Sequence, residues 1–527
     1  NALSDINLNI DDGEFVYVIG VTGSGKTEVY LRLSEKYLDD NKTVLMLVPE
    51  INLTPQMVEY FSRRFGPKVA ILHSELTPGE RYDEYRRIAQ GKAQIVVGAR
   101  SAIFAPLTNL GLIILDEEHV ESYKQDNAPY YHAREVAIMR GQIAKCKVLL
   151  GSATPTLETK ARASRGVYGY AEMKHRVNKR PLPKTSIIDL CDRSNYDRSS
   201  EKLTKPVLTA ISERVKREEQ SLLLINRRGY WTAVNCPHCG YIFACPQCGG
   251  NLTYHSHDKM LKCHHCGEVE IYPEQCPQCG YTKLRRVGYG TERIEQELND
   301  IMPGIRVARI DSDVSQVSKK MESILKDFKR GEYDVLVGTQ MIAKGHDFPK
   351  VTMSSVVMAD IGLSLPTYRA AERTFGLIAQ AVGRSGRADK EGVAYIQTYN
   401  PNHYAITCGA TQDYEAFYKK EMLERHASQY PPFVYLILLE FSAANEDRCV
   451  KASYDIKFAL QDKHIESLTL VGPITPFYSM VNGKYKRVLL LKMKKRDEVV
   501  KALKELLDSP LANGPVDITV DVDPLDY

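Results

Sequence analysis

No run of about eighteen apolar residues occurs in the chain, and a helix that crosses a bilayer needs one, so no membrane span is expected. The first residues carry no basic stretch followed by an apolar one, so no secretory signal is visible. An initiator Met is missing and a core strand is expected close to residue 1, which together suggest a fragment of a longer chain. Cysteine is scarce outside one cluster: of twelve, only Cys146, Cys191, Cys408 and Cys449 lie outside residues 236–279. Those four read as small buried apolar residues. A charge excess of either sign is lacking too, since 70 Lys+Arg against 66 Asp+Glu leaves +4. Binding to a polyanion therefore has to come from local basic patches. The 527 residues are enough for three or more domains, each with its own core.

What is present begins with Gly20-Val-Thr-Gly23-Ser24-Gly25-Lys26-Thr27, which fits G-x-x-x-x-G-K-[ST]. Residues 14–19 read as a short buried strand and Glu28 to Leu38 have helical periodicity. A strand feeding a Gly-rich turn that opens a helix is the context this motif needs. Its backbone N–H groups and the helix N-terminus favour phosphate, Lys26 reaches the β/γ-phosphates, and the Thr27 hydroxyl sits on Mg²⁺. The motif predicts binding of ATP or another nucleoside triphosphate through Gly20, Gly23, Ser24, Gly25, Lys26 and Thr27.

Further strands are expected at 42–50, 69–73, 94–98, 112–115 and 148–150, with helices at 51–65 and 80–90. This alternation argues a parallel sheet covered on both faces, with ligands beyond the carboxyl ends of the strands. Asp116-Glu117-Glu118-His119 comes directly after the strand at 112–115. Asp116 is read as the Mg²⁺ carboxylate, and Glu117 as the group that orients and deprotonates the attacking water. His119 is expected to link nucleotide state to another site. The next stretch holds Tyr123, Lys124, Tyr130, Tyr131, His132 and Arg134 around Pro129. Aromatic and basic side chains on a loop suit base stacking and phosphate contact; a surface loop with a tyrosine anchor is the competing reading. Hydroxyls of Gly151-Ser-Ala-Thr154-Pro-Thr156 are expected to couple the two sites.

Eight cysteines form four C-x-x-C knuckles: Cys236/Cys239, Cys245/Cys248, Cys263/Cys266 and Cys276/Cys279. They predict two tetrahedral Zn²⁺ sites, structural because all ligand positions are filled. The fourteen residues between Cys248 and Cys263 suit a ribbon hairpin, which pairs these two knuckles and leaves Cys236/Cys239 with Cys276/Cys279. A sequential pairing would close across only five residues. His255, His257, His264 and His265 read as bystanders. Eight thiolates and two Zn²⁺ change the formal +4 by −8 and +4, to zero.

These residues carry a resemblance. Gly20–Thr27, Val48-Pro-Glu50, Leu53–Gln56, Gly98-Ala-Arg-Ser101, Asp116–His119 and Gly151–Pro155 resemble the first motor lobe of superfamily 2 helicases, and within them the PriA family of replication-restart helicases. Asn226–Tyr230, Gly288–Arg293, Val337–Asp347 and Gln380-Ala-Val-Gly383-Arg384-Ser-Gly386-Arg387 resemble its second lobe. The resemblance implies an α/β fold of two RecA-like P-loop motor lobes, with a two-zinc Cys-rich insert in the second lobe and an α+β C-terminal domain. It implies that Gln380 probes the γ-phosphate and that Arg384 and Arg387 are arginine fingers. It implies an ATP-dependent 3′→5′ DNA helicase of the bacterial cytoplasm and nucleoid. Expected partners are forked and single-stranded DNA, single-stranded DNA-binding protein and primosome or helicase-loading proteins, with no membrane. Gly376 departs from the family's usual Gln and Tyr85 from its common Trp.

The expected division is an atypical segment at 1–19, the first lobe at 20–165, a linker at 166–200, and the second lobe at 201–230 and 286–400. The zinc insert spans 231–285 and the C-terminal domain 401–527, where Lys484–Arg487 forms a basic cluster. Residues 2–15 look like the lead-in of an ABC-type ATPase, but the L-S-G-G-Q signature of that class occurs nowhere. A zinc nucleic-acid platform with an idle ATPase and a double-stranded DNA translocase remain the alternatives.

Overall fold

The computed structural model describes residues 15–527 except 21–22, 50–54, 174–181, 197–199, 201, 226–232, 237, 240, 242, 248–251, 256–259, 264–266, 283, 288–290, 311–316, 340–341, 343–347, 366, 386–390, 477–478 and 513. Runs such as LGLIIL at Leu110–Leu115 and TVLML at Thr43–Leu47 are buried along their whole length. Only a sheet covered on both faces accommodates them, which is the parallel α/β arrangement.

The first lobe contains β1 (Phe15–Gly20), α1 (Lys26–Asp39), β2 (Thr43–Leu47), α2 (Pro55–Phe65), β3 (Val69–Leu72), α3 (Pro78–Ala89) and β4 (Ile95–Gly98). It continues with β5 (Leu110–Leu115), α4 (Ala133–Ala144), β6 (Lys147–Ser152), α5 (Leu157–Ser164) and β7 (Gly169–Met173). The strands lie in the order 3-4-2-5-6-1-7, all parallel. Hence β5, β6 and β1 are neighbours, and the segments leaving their carboxyl ends meet in one place.

The second lobe opens with β8 (Lys184–Asp189), α6 (Lys205–Lys216) and β9 (Gln220–Ile225). An antiparallel insert comes next: β10 (Ala233–Asn235), β11 (Leu252–His255), β12 (Met260–Cys263), β13 (Val269–Ile271) and β14 (Arg285–Val287). The lobe resumes with α7 (Thr291–Ile301), β15 (Val307–Ile310), α8 (Val317–Arg330), β16 (Val335–Gly338), β17 (Val351–Val357), α9 (Asp360–Leu363), α10 (Ala370–Val382) and β18 (Val393–Thr398). Its order is 15-16-9-17-18-8, again all parallel.

After α11 (Tyr404–Thr411) and α12 (Tyr414–Ala427) comes an antiparallel sheet of β19 (Tyr435–Ala443), β20 (Leu468–Ile474), β21 (Met480–Val481), β22 (Lys484–Met493) and β23 (Asp517–Val522). The order is 20-22-19-23, with β21 paired to β22. Helices α13 (Glu446–Gln461) and α14 (Arg496–Leu507) cover it. Among the described residues, no helix is long and apolar enough to cross a membrane.

Two boundaries differ from the sequence reading. Residues 166–200, expected to be a linker, contain β7, which pairs with β1, and β8, which closes the second sheet beside β18. These edge strands are short and half-polar (GYAEM and KTSIID), so periodicity does not betray them. Residues 404–427 belong with the motor and not with the last sheet. Phe417 stacks on Phe375 of α10 at 4.3 Å, and Tyr414 Oη donates to Pro155 O at 3.0 Å.

Candidate nucleotide and nucleic-acid site

The turn after β1 is shaped by its glycines. Gly23 and Gly25 take φ of +82° and +94°, where a side chain is strained. Gly25 caps α1, whose Glu28 N–H donates to its carbonyl at 3.0 Å. A Cβ on Gly20 would lie 2.5 Å from Ser24 Oγ and 3.1 Å from Lys26 Cγ, so the loop closes only over a bare backbone. Ser24 is buried, Thr27 sits half-buried in the first turn of α1, and Lys26 Nζ donates to Gly20 O at 2.8 Å.

Asp116 and Glu117 leave the end of β5 on the same side. The Tyr30 hydroxyl donates to Asp116 Oδ1 at 3.0 Å, and the Tyr123 hydroxyl donates to Asp116 O at 2.8 Å. Burial, and then the neighbouring Glu117 charge, pushes the Asp116 carboxyl up to about 7, with Lys26 opposing. Burial and mutual repulsion outweigh the Lys26 charge at this carboxylate pair, and a divalent cation would offset them, so the donor set fits Mg²⁺. Glu117 holds φ at +47°, the left-handed region that a non-glycine residue enters at a cost.

Glu118 and His119 organise the segment that leaves β6, and His119 Nδ1 also lies 3.5 Å from Glu117 Oε2. Glu118 Oε1 accepts from Thr156 N at 2.8 Å; its Oε2 accepts from Arg134 at 2.9 Å and from Thr159 Oγ1 at 3.2 Å. His119 Nδ1 lies 2.7 Å from Ser152 Oγ, and its Nε2 lies 2.9 Å from Gln380 Nε2. With that amide nitrogen donating, the ring is in the tautomer whose Nδ1–H donates to Ser152. The second lobe thereby contacts the end of β5 directly. Arg384 lies just beyond α10, half-buried, while Arg387 lies outside the described residues.

A buried ion network welds the same junction. Arg369 pairs with Glu158 at 2.7 Å and with Glu372 at 3.0 Å. Arg425 pairs with Glu372 at 3.0 Å and Glu421 at 2.8 Å, and lies 4.7 Å from the centroid of the Tyr368 ring. Leu157 N–H at the start of α5 donates to Glu372 Oε1 at 3.1 Å.

The aromatic stretch forms a pinched loop. Lys124 and His132 bridge at its base, Gln125 N–H donates to Tyr131 O at 2.9 Å, and residues 126–129 are exposed at the tip. Of the six residues expected to contact nucleic acid, Tyr123, Lys124 and Arg134 point inward and are satisfied by Asp116, by β23 and by Glu118. Tyr130, Tyr131 and His132 are half-buried. His132 caps α4 by accepting from Arg134 N–H at 3.2 Å, and burial drives its pKa well below the usual range. Composition points to a basic aromatic surface; the geometry spends half of it on fastening the loop. A cavity of about 740 Å³ lies beside it, lined by Tyr130, His132, Tyr368, Lys494, Arg496 and Asp523.

In the insert, Cys236, Cys239, Cys276 and Cys279 come together with all four sulfurs within 4.8 Å of one another. The sulfurs of Cys236 and Cys279 are 3.5 Å apart, and those of Cys239 and Cys276 3.6 Å. Four thiols at this spacing fit one tetrahedral zinc ion. Cys245 and Cys263 are both buried in the insert's small core, and β11 and β12 form the expected hairpin. Cys248 and Cys266 lie outside the described residues.

Sequence reasoning missed Tyr30, Glu118 and the Glu158–Arg369–Glu372–Arg425 network. Tyr30 was findable, since it stands four residues after Lys26 on one helix and therefore on the same face. The ion network was not, because its members come from three parts of the chain.

Comparison with known proteins agrees with this architecture. Residues 4–163 match the DEAD/DEAH box helicase family, and residues 283–389 the helicase conserved C-terminal domain. Residues 245–270 match the PriA DNA helicase Cys-rich region (CRR) domain, and residues 426–525 the primosomal protein N C-terminal domain. The replication restart protein PriA of Bacillus subtilis (strain 168) is 43% identical over 521 residues, which are 98% of this chain and 64% of that protein. Its counterpart in Haemophilus influenzae is 40% identical over 527 residues, covering 100% of this chain and 72% of the relative. That of Treponema pallidum (strain Nichols) is 39% identical over 509 residues, 97% of this chain and 76% of the relative. The chain thus spans between 64% and 76% of the length of these three relatives. With two RecA-like lobes, a Cys-rich insert and this extent of identity, the chain belongs to the replication restart protein PriA family.

Proposed function

We propose that the chain is the motor of an ATP-dependent DNA helicase that unwinds 3′→5′ in replication restart. The observation that carries this reading is the contact from His119, beside the paired acids of the first lobe, to Gln380 of the second at 2.9 Å. A nucleotide held after β1 is then sensed by the opposite lobe through two side chains. ATP with Mg²⁺ supplies the phosphoanhydride; Lys26, Thr27 and Asp116 are the residues that would hold its phosphates and metal. To reach a phosphate, Lys26 Nζ has to leave the Gly20 carbonyl it occupies here. Glu117 orients the attacking water and takes its proton. Arg384 and Arg387, brought in by lobe closure, stabilise the charge that spreads over the transferred group.

Forked and single-stranded DNA are the proposed substrates, contacted by the exposed tip of the loop at 126–129 and by Tyr130 and Tyr131. The insert is proposed to hold two zinc ions, one on Cys236, Cys239, Cys276 and Cys279 and one on Cys245, Cys248, Cys263 and Cys266. Single-stranded DNA-binding protein and primosome or helicase-loading proteins are the proposed partners, at the nucleoid of a bacterial cytoplasm.

The test compares the parent with Lys26→Ala for ATP hydrolysis with and without single-stranded DNA. The parent should be DNA-stimulated, and Lys26→Ala should lose roughly 100-fold or more of the stimulated rate. Equal rates would support a zinc-bearing DNA-binding platform in place of a motor. Displacement of strands from forks with 3′ or 5′ tails reads the polarity, and translocation without displacement would mark a double-stranded translocase.

A further inference from the structure

Lys124 lies in the loop after the paired acids, yet its side chain is only 4% exposed. Three oxygens surround Nζ: Asp521 Oδ1 at 2.6 Å, Val522 O at 2.7 Å and Tyr130 O at 2.9 Å. Two of its donors go to the Val522 and Tyr130 carbonyls and the Asp521 carboxylate supplies the counter-charge, so the buried ammonium is held by this chain's own oxygens. Two of the three oxygens belong to β23, in the last sheet of the chain. The segment beyond β23 then crosses to the second lobe. Asp526 pairs with Arg373 at 2.7 and 2.9 Å, and Arg373 also pairs with Glu121 at the entrance to the loop. Tyr527 stacks with Tyr368 and Tyr430 at centroid distances of 6.4 and 6.3 Å. Arg373 stands on α10 seven residues before Gln380, two turns along one face of the helix. The loop entrance, its base and the helix that carries Gln380 are therefore all tied to residues 521–527.

We propose that residues 521–527 are a positioning strap that fixes the loop between Glu121 and His132 to α10, so that the loop and Gln380 move as one unit. This rests on the motor reading. Lys124 is then a positioning residue, not a phosphate contact. Tyr123, the residue before it, donates to the Asp116 carbonyl, so an unanchored loop loosens the acid pair. Nothing in the loop's own composition requires a second domain to hold it. The strap does require it, because a buried ammonium is stable only with its counter-charge in place.

The experiment uses the full chain and two readouts. In Asp521→Asn, single-stranded-DNA-stimulated kcat for ATP should fall about tenfold, with KM for ATP unchanged within about twofold. Amide hydrogen exchange across residues 121–132 should rise without DNA or nucleotide. Asp521→Glu, which keeps the charge, should restore stimulation. Lys124→Met combined with Asp521→Asn should be no worse than Lys124→Met alone, because each breaks the same pair. Asp526→Asn guards against misfolding, since that carboxylate is 61% exposed; it should act in the same direction by about twofold. The proposal is overturned if exchange over 121–132 is unchanged in Asp521→Asn. It is also overturned if Lys124→Met mainly weakens DNA binding and lowers its salt slope by about one while Asp521→Asn binds as tightly as the parent, since Lys124 would then be reading phosphate. If the parent shows no DNA stimulation at all, the motor reading falls, and the exchange measurement alone decides the strap.

Discussion

At the scale of single residues, the site is built by side chains that act on other side chains. Tyr30 is fully buried and spends its hydroxyl on Asp116. It fits there because Gly151, at the end of β6, has no Cβ: one placed there would lie 1.8 Å from the Tyr30 hydroxyl. The glycine that opens the Gly151–Thr156 segment is thus a space reserved for Tyr30. Gly151→Ala should displace Tyr30 from Asp116. Overpacking of this kind costs about 1–3 kcal/mol, so the melting temperature should drop by a few degrees, and DNA-stimulated ATP hydrolysis should fall by more than stability explains. Differential scanning calorimetry alongside steady-state kinetics separates the two effects; an unchanged kcat would show that the Tyr30–Asp116 bond has no catalytic part.

Among the elements, the cysteine insert is the one least able to stand by itself. Its apolar core among the described residues is Phe243, Cys245, Leu252, Tyr254, Leu261 and Cys263, with three partly buried neighbours. Such a core is too small to offset the entropy of ordering five short strands, so metal has to supply the difference. Cys236→Ser should lower bound zinc by one ion per chain by elemental analysis. It should also raise protease cleavage within 233–287 while the lobes stay folded, since the insert's core is separate from the apolar clusters of the parallel sheets. Retention of full zinc would show that the cluster of Cys236, Cys239, Cys276 and Cys279 is not a site.

Across the whole molecule, the two lobes meet around Glu158. Although burial works the other way, Arg369, then Arg425 and Arg134, hold its carboxyl down to about 2, against an ordinary value of 4.5. Because the folded value is the lower one, the unfolded chain takes up the proton first as pH falls. The stabilisation is complete above pH 4.5 and is lost progressively as pH drops through about 2. Urea unfolding midpoints tracked through that window should fall more steeply for the parent than for Glu158→Gln. The variant, with no charge to lose, should start lower at neutral pH. Parallel curves would mean that the junction is held by its apolar contacts alone.

The local chemistry of the chain is legible because it is written in short, contiguous strings. The glycine turn at residues 20–27, the Asp116–His119 run, four C-x-x-C knuckles and the apolar strand runs each state their geometry within a few residues. Backbone conformation and ligand spacing are local properties, and they suffice for two α/β lobes and a metal insert. Long-range juxtaposition is not encoded in that way. Lys124 reads as a basic loop residue until β23, 398 positions later, is seen to surround it. The half-polar strands β7 and β8 read as a linker until each is paired at the edge of its sheet. The ion network around Glu158 joins α5, α10 and α12, and no periodicity in any one of them signals the other two. Only the tertiary structure decides which charges face each other, because a buried charge is stabilised by whatever partner the fold brings within reach, wherever that partner lies in the sequence.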